Sequence, residues 1–107
     1  MPFVYILRCS DNTFYVGHTD NLTAREQAHN EGTATQYTAR RRPVTLVYSE
    51  TFDSLASALR REKQLKRWSG EKKQALITGD IATLKRLSQR RKRLRKTRIV
   101  SNEEHES

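Results

Sequence analysis

Apolar and β-branched residues open the chain as a nearly unbroken run from Phe3 to Cys9, and a second strand-like block follows from Thr13 to Val16. Ser10-Asp11-Asn12 between them is a turn signal, so the opening predicts a β-hairpin. A strict two-residue turn at Asp11-Asn12 would put Tyr5 and Tyr15 on opposite faces of that hairpin. A three-residue connection or a bulge would put both on one face, diagonally across the strands.

The pattern then changes period. Asp20 or Asn21 can cap a helix that begins near Leu22, runs to about Glu31 and stops at Gly32. Arg25 and His29, four apart, share one face of it. Residues 32–43 read as a loop closing on Arg40-Arg41-Arg42-Pro43, and Val44–Tyr48 alternates as a third strand with Val44, Leu46 and Tyr48 on one face. A longer helix is predicted over about Ser54–Trp68, with Leu55, Ala58, Leu59, Leu65 and Trp68 at helical spacing. Ser69-Gly70 interrupts it, a shorter helix follows at roughly Glu71–Ile77, and Ile81, Leu84 and Leu87 mark a last amphipathic turn or two. No internal repeat is visible. The order β-β-α-β-α-α predicts a small α/β (α+β) domain with a three-stranded antiparallel sheet flanked by helices.

Composition sharpens this picture in two places. The 107 residues suit one domain with one core. Residues 1–84 hold 12 basic and 9 acidic residues, whereas residues 85–107 hold 9 basic and 3 acidic ones. Most of the net charge of +9 therefore falls in the last fifth of the chain, and a domain over residues 1–84 with a basic, then acidic, extension over 85–107 is expected. The concentration at Arg90, Arg91, Lys92, Arg93, Arg95 and Lys96 suggests a polyanionic partner, most often nucleic acid, met by a partner-folded helix or a disordered arm. The lone Cys9 excludes an internal disulfide or a cysteine zinc site within one chain. No signal peptide and no apolar stretch long enough to span a membrane is seen, so a soluble, cytoplasmic protein is expected.

Glu62 interrupts the apolar stripe of the long helix, three residues after Leu59 and three before Leu65. A carboxylate so placed needs a partner, either a cation such as Arg61, Lys66 or Arg25, or a metal ion. Arg40, Arg41 and Arg42 read as a phosphate-contacting loop or a solvated charge run, Trp68 and Tyr48 as core, and Tyr37 as loop packing or a base-stacking contact.

Phe3-Val4-Tyr5 and Tyr15-Val16-Gly17, with the following Leu22, Arg25 and His29, resemble the GIY-YIG nuclease superfamily, in particular its small single-domain group. The resemblance spans about residues 2–78 and includes Arg41–Tyr48 and Leu59-Arg60-Arg61-Glu62. It implies a metal-dependent endonuclease hydrolysing phosphodiester bonds, structure-selective, acting on DNA rather than RNA in repair or recombination, with one Mg²⁺ or Mn²⁺ ion. By the same resemblance Glu62 matches the metal-binding glutamate and Arg25 the arginine on the scissile phosphate. Tyr5 and Tyr15 match the motif tyrosines, and His29 a position that is His or Tyr. His18 stands where a basic residue often follows the second motif. Two departures stand out: Phe3 replaces the glycine of the first triplet, and no asparagine occurs between Asn30 and Asn102 where several members carry one. The competing expectation is a nucleic-acid-binding protein of the same fold with little catalysis, using the basic arm, and a protein partner that supplies targeting is compatible with either.

The chemistry explains the residue types. Phosphodiester hydrolysis needs an activated water, a neutralised phosphate and a protonated leaving group. An arginine fork holds two phosphate oxygens as lysine cannot. A tyrosine of ordinary pKa, about 10, serves as base near neutrality only with a cation beside it. Sequence leaves Tyr5 and Tyr15 as equal candidates for that role, with His18 and His29 as relays or phosphate donors.

Overall fold

The structure is a computed structural model that describes residues 1–89. The chain divides into two compact units, Met1–Lys73 and Gln74–Ser107. In the first, β1 (Phe3–Arg8), β2 (Phe14–Thr19), α1 (Leu22–Glu31), α2 (Gln36–Ala39), β3 (Thr45–Thr51) and α3 (Leu55–Lys66) follow one another, and α4 (Gly70–Thr78) runs across the division. In the second, residues 81–89 are helical. The basic cluster from Arg90 to Lys96 lies outside the described residues.

The sheet is three-stranded and antiparallel, ordered β2-β1-β3. Its central strand explains why the first apolar run does not alternate: Val4, Tyr5, Ile6 and Leu7 are all buried, so both faces of β1 are covered. Tyr5, Leu7, Cys9 and Val44 cluster on one face, with Tyr15, Leu22 and Leu46 packed against them. Helix α3 packs against β1 and β2, burying Ala58 and Leu65.

The hairpin resolves the question of register. Tyr5 pairs with Gly17 and Leu7 with Tyr15, so Tyr5 and Tyr15 lie on one face, diagonally across the strands. The connection is three residues long: Cys9 N–H donates to Thr13 O at 2.9 Å, Asn12 N–H donates to Cys9 O at 3.0 Å, and Asn12 sits at φ 67°. That is a turn closed by a left-handed residue, which asparagine tolerates. Asp11 fixes it by accepting from Thr13 N–H at 3.1 Å and Thr13 Oγ1 at 2.6 Å.

Helix α1 starts at Asn21, whose side chain accepts from Ala24 N–H, and ends at Gly32 at φ 80°. It is laced to the start of β3. Asn30 donates to Val44 O at 2.9 Å and accepts from Val44 N–H at 2.7 Å, and Glu26 accepts from Leu46 N–H at 2.8 Å. These bonds satisfy backbone groups on the open side of an edge strand.

Four expectations need correction. Residues 32–43 are not all loop, because Thr35 accepts from Thr38 N–H and caps the short helix α2. Tyr48 does not share a face with Val44 and Leu46. A bulge pairs Ile6 with Tyr48 but Leu7 with Leu46, so Val47 is the extra residue and Tyr48 turns to the α3 side. In α3 the buried row is Ala58, Glu62 and Leu65, whereas Leu55 and Leu59 are exposed. Trp68 is half-buried rather than core, between the Arg61 guanidinium (5.2 Å) and the Lys72 ammonium (4.2 Å).

Candidate active site

The tyrosines, Arg25 and His29 gather where α1 meets the hairpin. The Tyr5 hydroxyl is 2.9 Å from His29 Nε2, and His29 Nδ1 is 2.7 Å from Thr38 Oγ1. Both Tyr5 and His29 are buried, His29 completely. The Tyr15 ring stands 5.1 Å from the imidazole and 6.5 Å from the Tyr5 ring, and Tyr37 extends the aromatic row 5.9 Å beyond Tyr15. Arg25 is exposed on α1, one turn before His29, and its charge acts on the Tyr5 phenol.

Electrostatics follows from this packing. Burial pushes the Tyr5 phenol above its ordinary value, Tyr15 and Glu62 add to the effect, and the Arg25 charge opposes it. Burial also holds His29 below the ordinary imidazole value, and the Arg25 charge acts in the same direction. Tyr5 is therefore a protonated phenol and His29 a neutral imidazole near neutral pH.

His18 and Glu62 approach from the other side of β2. His18 pairs with Val4, one residue out of step with Tyr5, so it turns to the α3 side. Its Nδ1–H donates to Glu62 Oε1 at 2.7 Å, and Lys66 Nζ donates to Glu62 Oε2 at 2.9 Å. Of the partners considered for Glu62, Lys66 is the one found, one helical turn on. Arg61 is taken by Glu50 through Nε and Nη2, both at 2.9 Å.

Gly17 lets the two sides meet. A Cβ at this position would lie 2.5 Å from the Tyr5 hydroxyl oxygen, so the phenol reaches the sheet edge only over a residue without a side chain. The glycine of the second triplet is thus a steric requirement of the tyrosine in the first. Thr38 is the residue that sequence reasoning did not single out, and Gly17 entered there as part of the second triplet without a role of its own. Thr38 carried no signal, being one of several threonines in an apparent loop.

The 40–42 arginines sit differently. Arg41 lies 3.8 Å over the Tyr37 ring, donates to Asp11 (3.1 Å) and to Tyr37 O (3.0 Å), and so locks the hairpin turn to α2. Arg42 donates to Ala39 O (2.9 Å) and Asn30 O (3.4 Å), serving the C-terminal carbonyls of α2 and α1. Arg40 is exposed, on the rim of a concavity it shares with Asn30, Ala39, Arg42 and Pro43.

A family model described as the GIY-YIG catalytic domain matches residues 1–75. The chain belongs to the GIY-YIG domain family. Within it, this GIY-YIG chain is 47% identical over 75 residues to a UPF0213 protein of Staphylococcus haemolyticus, covering 70% of this chain and 92% of the relative. A UPF0213 protein of Staphylococcus aureus is 44% identical over the same length and shares. A protein of E. faecalis whose structure was determined by solution NMR is 35% identical, with a TM-score of 0.51 over 74% of this chain and 85% of that one. The family match ends at residue 75, ahead of the basic extension.

A divalent cation fits one corner of this GIY-YIG site. Among the described residues no three His, Cys, Asp or Glu side chains gather as a metal cage. Glu62 is nevertheless a carboxylate only 9% exposed, and its two partners are solvent-reaching side chains, His18 and Lys66. A single carboxylate suits Mg²⁺ or Mn²⁺, which keep much of their hydration, better than Zn²⁺. Among the described residues no helix is long and apolar enough to cross a membrane.

Proposed function

We propose that this GIY-YIG chain is an endonuclease that hydrolyses phosphodiester bonds in DNA with structure rather than sequence selectivity. The observation that carries the reading is the Tyr5 hydroxyl set 2.9 Å from a neutral imidazole, His29, within the field of the Arg25 charge. A phenol bonded in this way is placed to exchange protons. Tyr5 takes the proton of the attacking water and His29 relieves Tyr5 of its own. Tyr15 forms the wall that orients the imidazole. Arg25, exposed at the mouth, holds two oxygens of the scissile phosphate with its planar fork.

Glu62 would hold the divalent ion, Mg²⁺ or Mn²⁺, once His18 and Lys66 give up its oxygens. Such an ion would supply charge neutralisation during phosphodiester hydrolysis. His18, freed from Glu62, is a donor toward the leaving group. The arginines and lysines from Arg90 to Lys96 add salt-dependent, sequence-independent affinity, and Arg40 adds to it from the domain. A role in repair or recombination follows from structure-selective cleavage.

The test is cleavage of labelled single-stranded, duplex, flap and branched DNAs, with RNA counterparts, in Mg²⁺ or Mn²⁺. EDTA and Glu62→Ala serve as controls. Cleavage of DNA lost in both controls is expected. Salt-sensitive binding without cleavage, unchanged by Glu62→Ala, would replace the nuclease with a nucleic-acid-binding protein that uses the basic segment.

A further inference from the structure

Both ring nitrogens of His29 face hydroxyls, so its protonation pattern is set by what those hydroxyls can do. A neutral imidazole donates from one nitrogen and accepts at the other. The positive charge of Arg25 acts on the Tyr5 oxygen and draws its lone pairs, and His29 Nε2 lies 2.9 Å from that oxygen. The phenol proton therefore goes to Nε2, and the imidazole proton sits on Nδ1. Nδ1–H then donates to Thr38 Oγ1 at 2.7 Å. Thr38 has its own outlet, since its Oγ1 lies 2.9 Å from Thr35 Oγ1 and 3.4 Å from Thr35 O. Tyr5, His29 and Thr38 are buried, while Thr35 is only half-buried. A continuous line of hydrogen bonds runs from the Tyr5 hydroxyl to the edge of the solvent.

The geometry points to Thr38, backed by Thr35, as a positioning residue that fixes His29 in its Nδ1–H tautomer and receives that proton when Tyr5 passes its own to Nε2. This rests on the reading of Tyr5 as the proton acceptor. As water attacks phosphorus, its proton bonds to the Tyr5 oxygen and the Tyr5 proton moves to Nε2. The Nδ1 proton moves to Thr38, the Thr38 proton to Thr35, and the Thr35 proton to solvent. Each protein group ends with as many protons as it began, and the hydroxide equivalent ends on phosphorus. No free phenolate and no buried imidazolium is required, which removes the difficulty that burial disfavours both.

The experiment is ¹⁵N NMR of the His29 ring in the full chain, beside cleavage kinetics. In the unmodified protein at neutral pH, Nδ1 is expected in the protonated range and Nε2 in the acceptor range. In Thr38→Val an Nδ1–H would face a methyl group as a buried donor without a partner, so the ring is expected to switch to Nε2–H. Thr38→Ser keeps the hydroxyl and should keep the tautomer. In cleavage, Thr38→Val is expected to lower kcat about 10- to 100-fold with KM unchanged, and Thr38→Ser to restore it. An unmodified ring protonated on Nε2 would overturn the proposal whether or not any variant folds. So would a Thr38→Val protein that keeps Nδ1–H. A chain showing the expected tautomers but cleaving nothing would support the positioning role and overturn the nuclease reading instead.

Discussion

The Tyr5 hydroxyl lies over Gly17, its direct cross-strand partner, at a distance no side chain at position 17 would permit. The two family triplets are therefore one device. The first supplies the phenol on a strand buried on both faces, and the second supplies the gap through which that phenol reaches the edge of β2.

Gly17→Ala tests this directly. Its Cβ would meet the phenol oxygen at 2.5 Å and the ring carbon bearing it at 2.7 Å, so the ring must move away from His29. Overpacking of this kind destabilises by about 1–3 kcal/mol. A displacement of about 1 Å at a reacting group is enough for a loss of about 100-fold in kcat. Thermal unfolding and cleavage rates on one preferred DNA check both numbers. A variant with unchanged kcat would show that the Tyr5 hydroxyl takes no part in the chemistry.

Arg61 and Glu50 fasten α3 to β3 through two parallel bonds of 2.9 Å, with the Tyr48 hydroxyl also donating to Glu50. Burial works against the Glu50 charge, but the bonds from Arg61 and Tyr48 outweigh it and hold the carboxyl below its ordinary value. Burial and Glu50 together push the Tyr48 phenol up to about 12. Arg61→Lys keeps the charge and loses the fork, so it is expected to destabilise by about 1–2 kcal/mol in urea unfolding. Cleavage per folded molecule should be unchanged, which separates this pair from Glu62 one residue away.

How much of this was legible in the sequence depends on the element. The hairpin, α1 with its Asn21 and Gly32 caps, and the inward Glu62 follow from local chemistry and period. The face shared by Tyr5 and Tyr15 was open, because it turns on whether Asn12 adopts a left-handed backbone and adds a third loop residue. Tyr48 was assigned to the wrong face because a bulge at Val47 is invisible to simple alternation. Leu55 and Leu59 fit the helical period as well as Ala58 and Leu65 do, and only the position of the sheet decides which row is buried. Thr38 could not be found at all, since its role depends on an imidazole nine residues earlier in the chain.

His29 gives a pH dependence with a definite sign. Its folded-state pKa lies below the ordinary 6.5, chiefly through burial. The unfolded chain therefore takes up a proton first as pH falls. Stability from this group is complete above about 6.5 and is lost as pH drops through that value toward the lower folded-state pKa, by at most about 1.4 kcal/mol per pH unit. Urea unfolding at a series of pH values between 7.5 and 5 should show the decline, and His29→Gln should flatten it. An equal slope in His29→Gln would assign the effect to another group.

Asn12 offers the test of how far the site depends on register. It occupies the third position of the loop at φ 67°, where glycine is unstrained and a β-branched residue is not. Asn12→Gly should leave stability within about 1 kcal/mol of the parent, and Asn12→Val should lower it by about 1–2 kcal/mol. Deleting the neighbouring Thr13 is a sharper change. With the three-residue turn kept, Phe14 would stand opposite Cys9, and Tyr15 and Gly17 would turn to the opposite face from Tyr5, taking away both the aromatic wall beside His29 and the gap over which the phenol passes. A loss of cleavage with helical circular dichroism retained would trace the activity to the pairing of the two triplets. Full cleavage in the deleted protein would mean that the tyrosines do not need a common face.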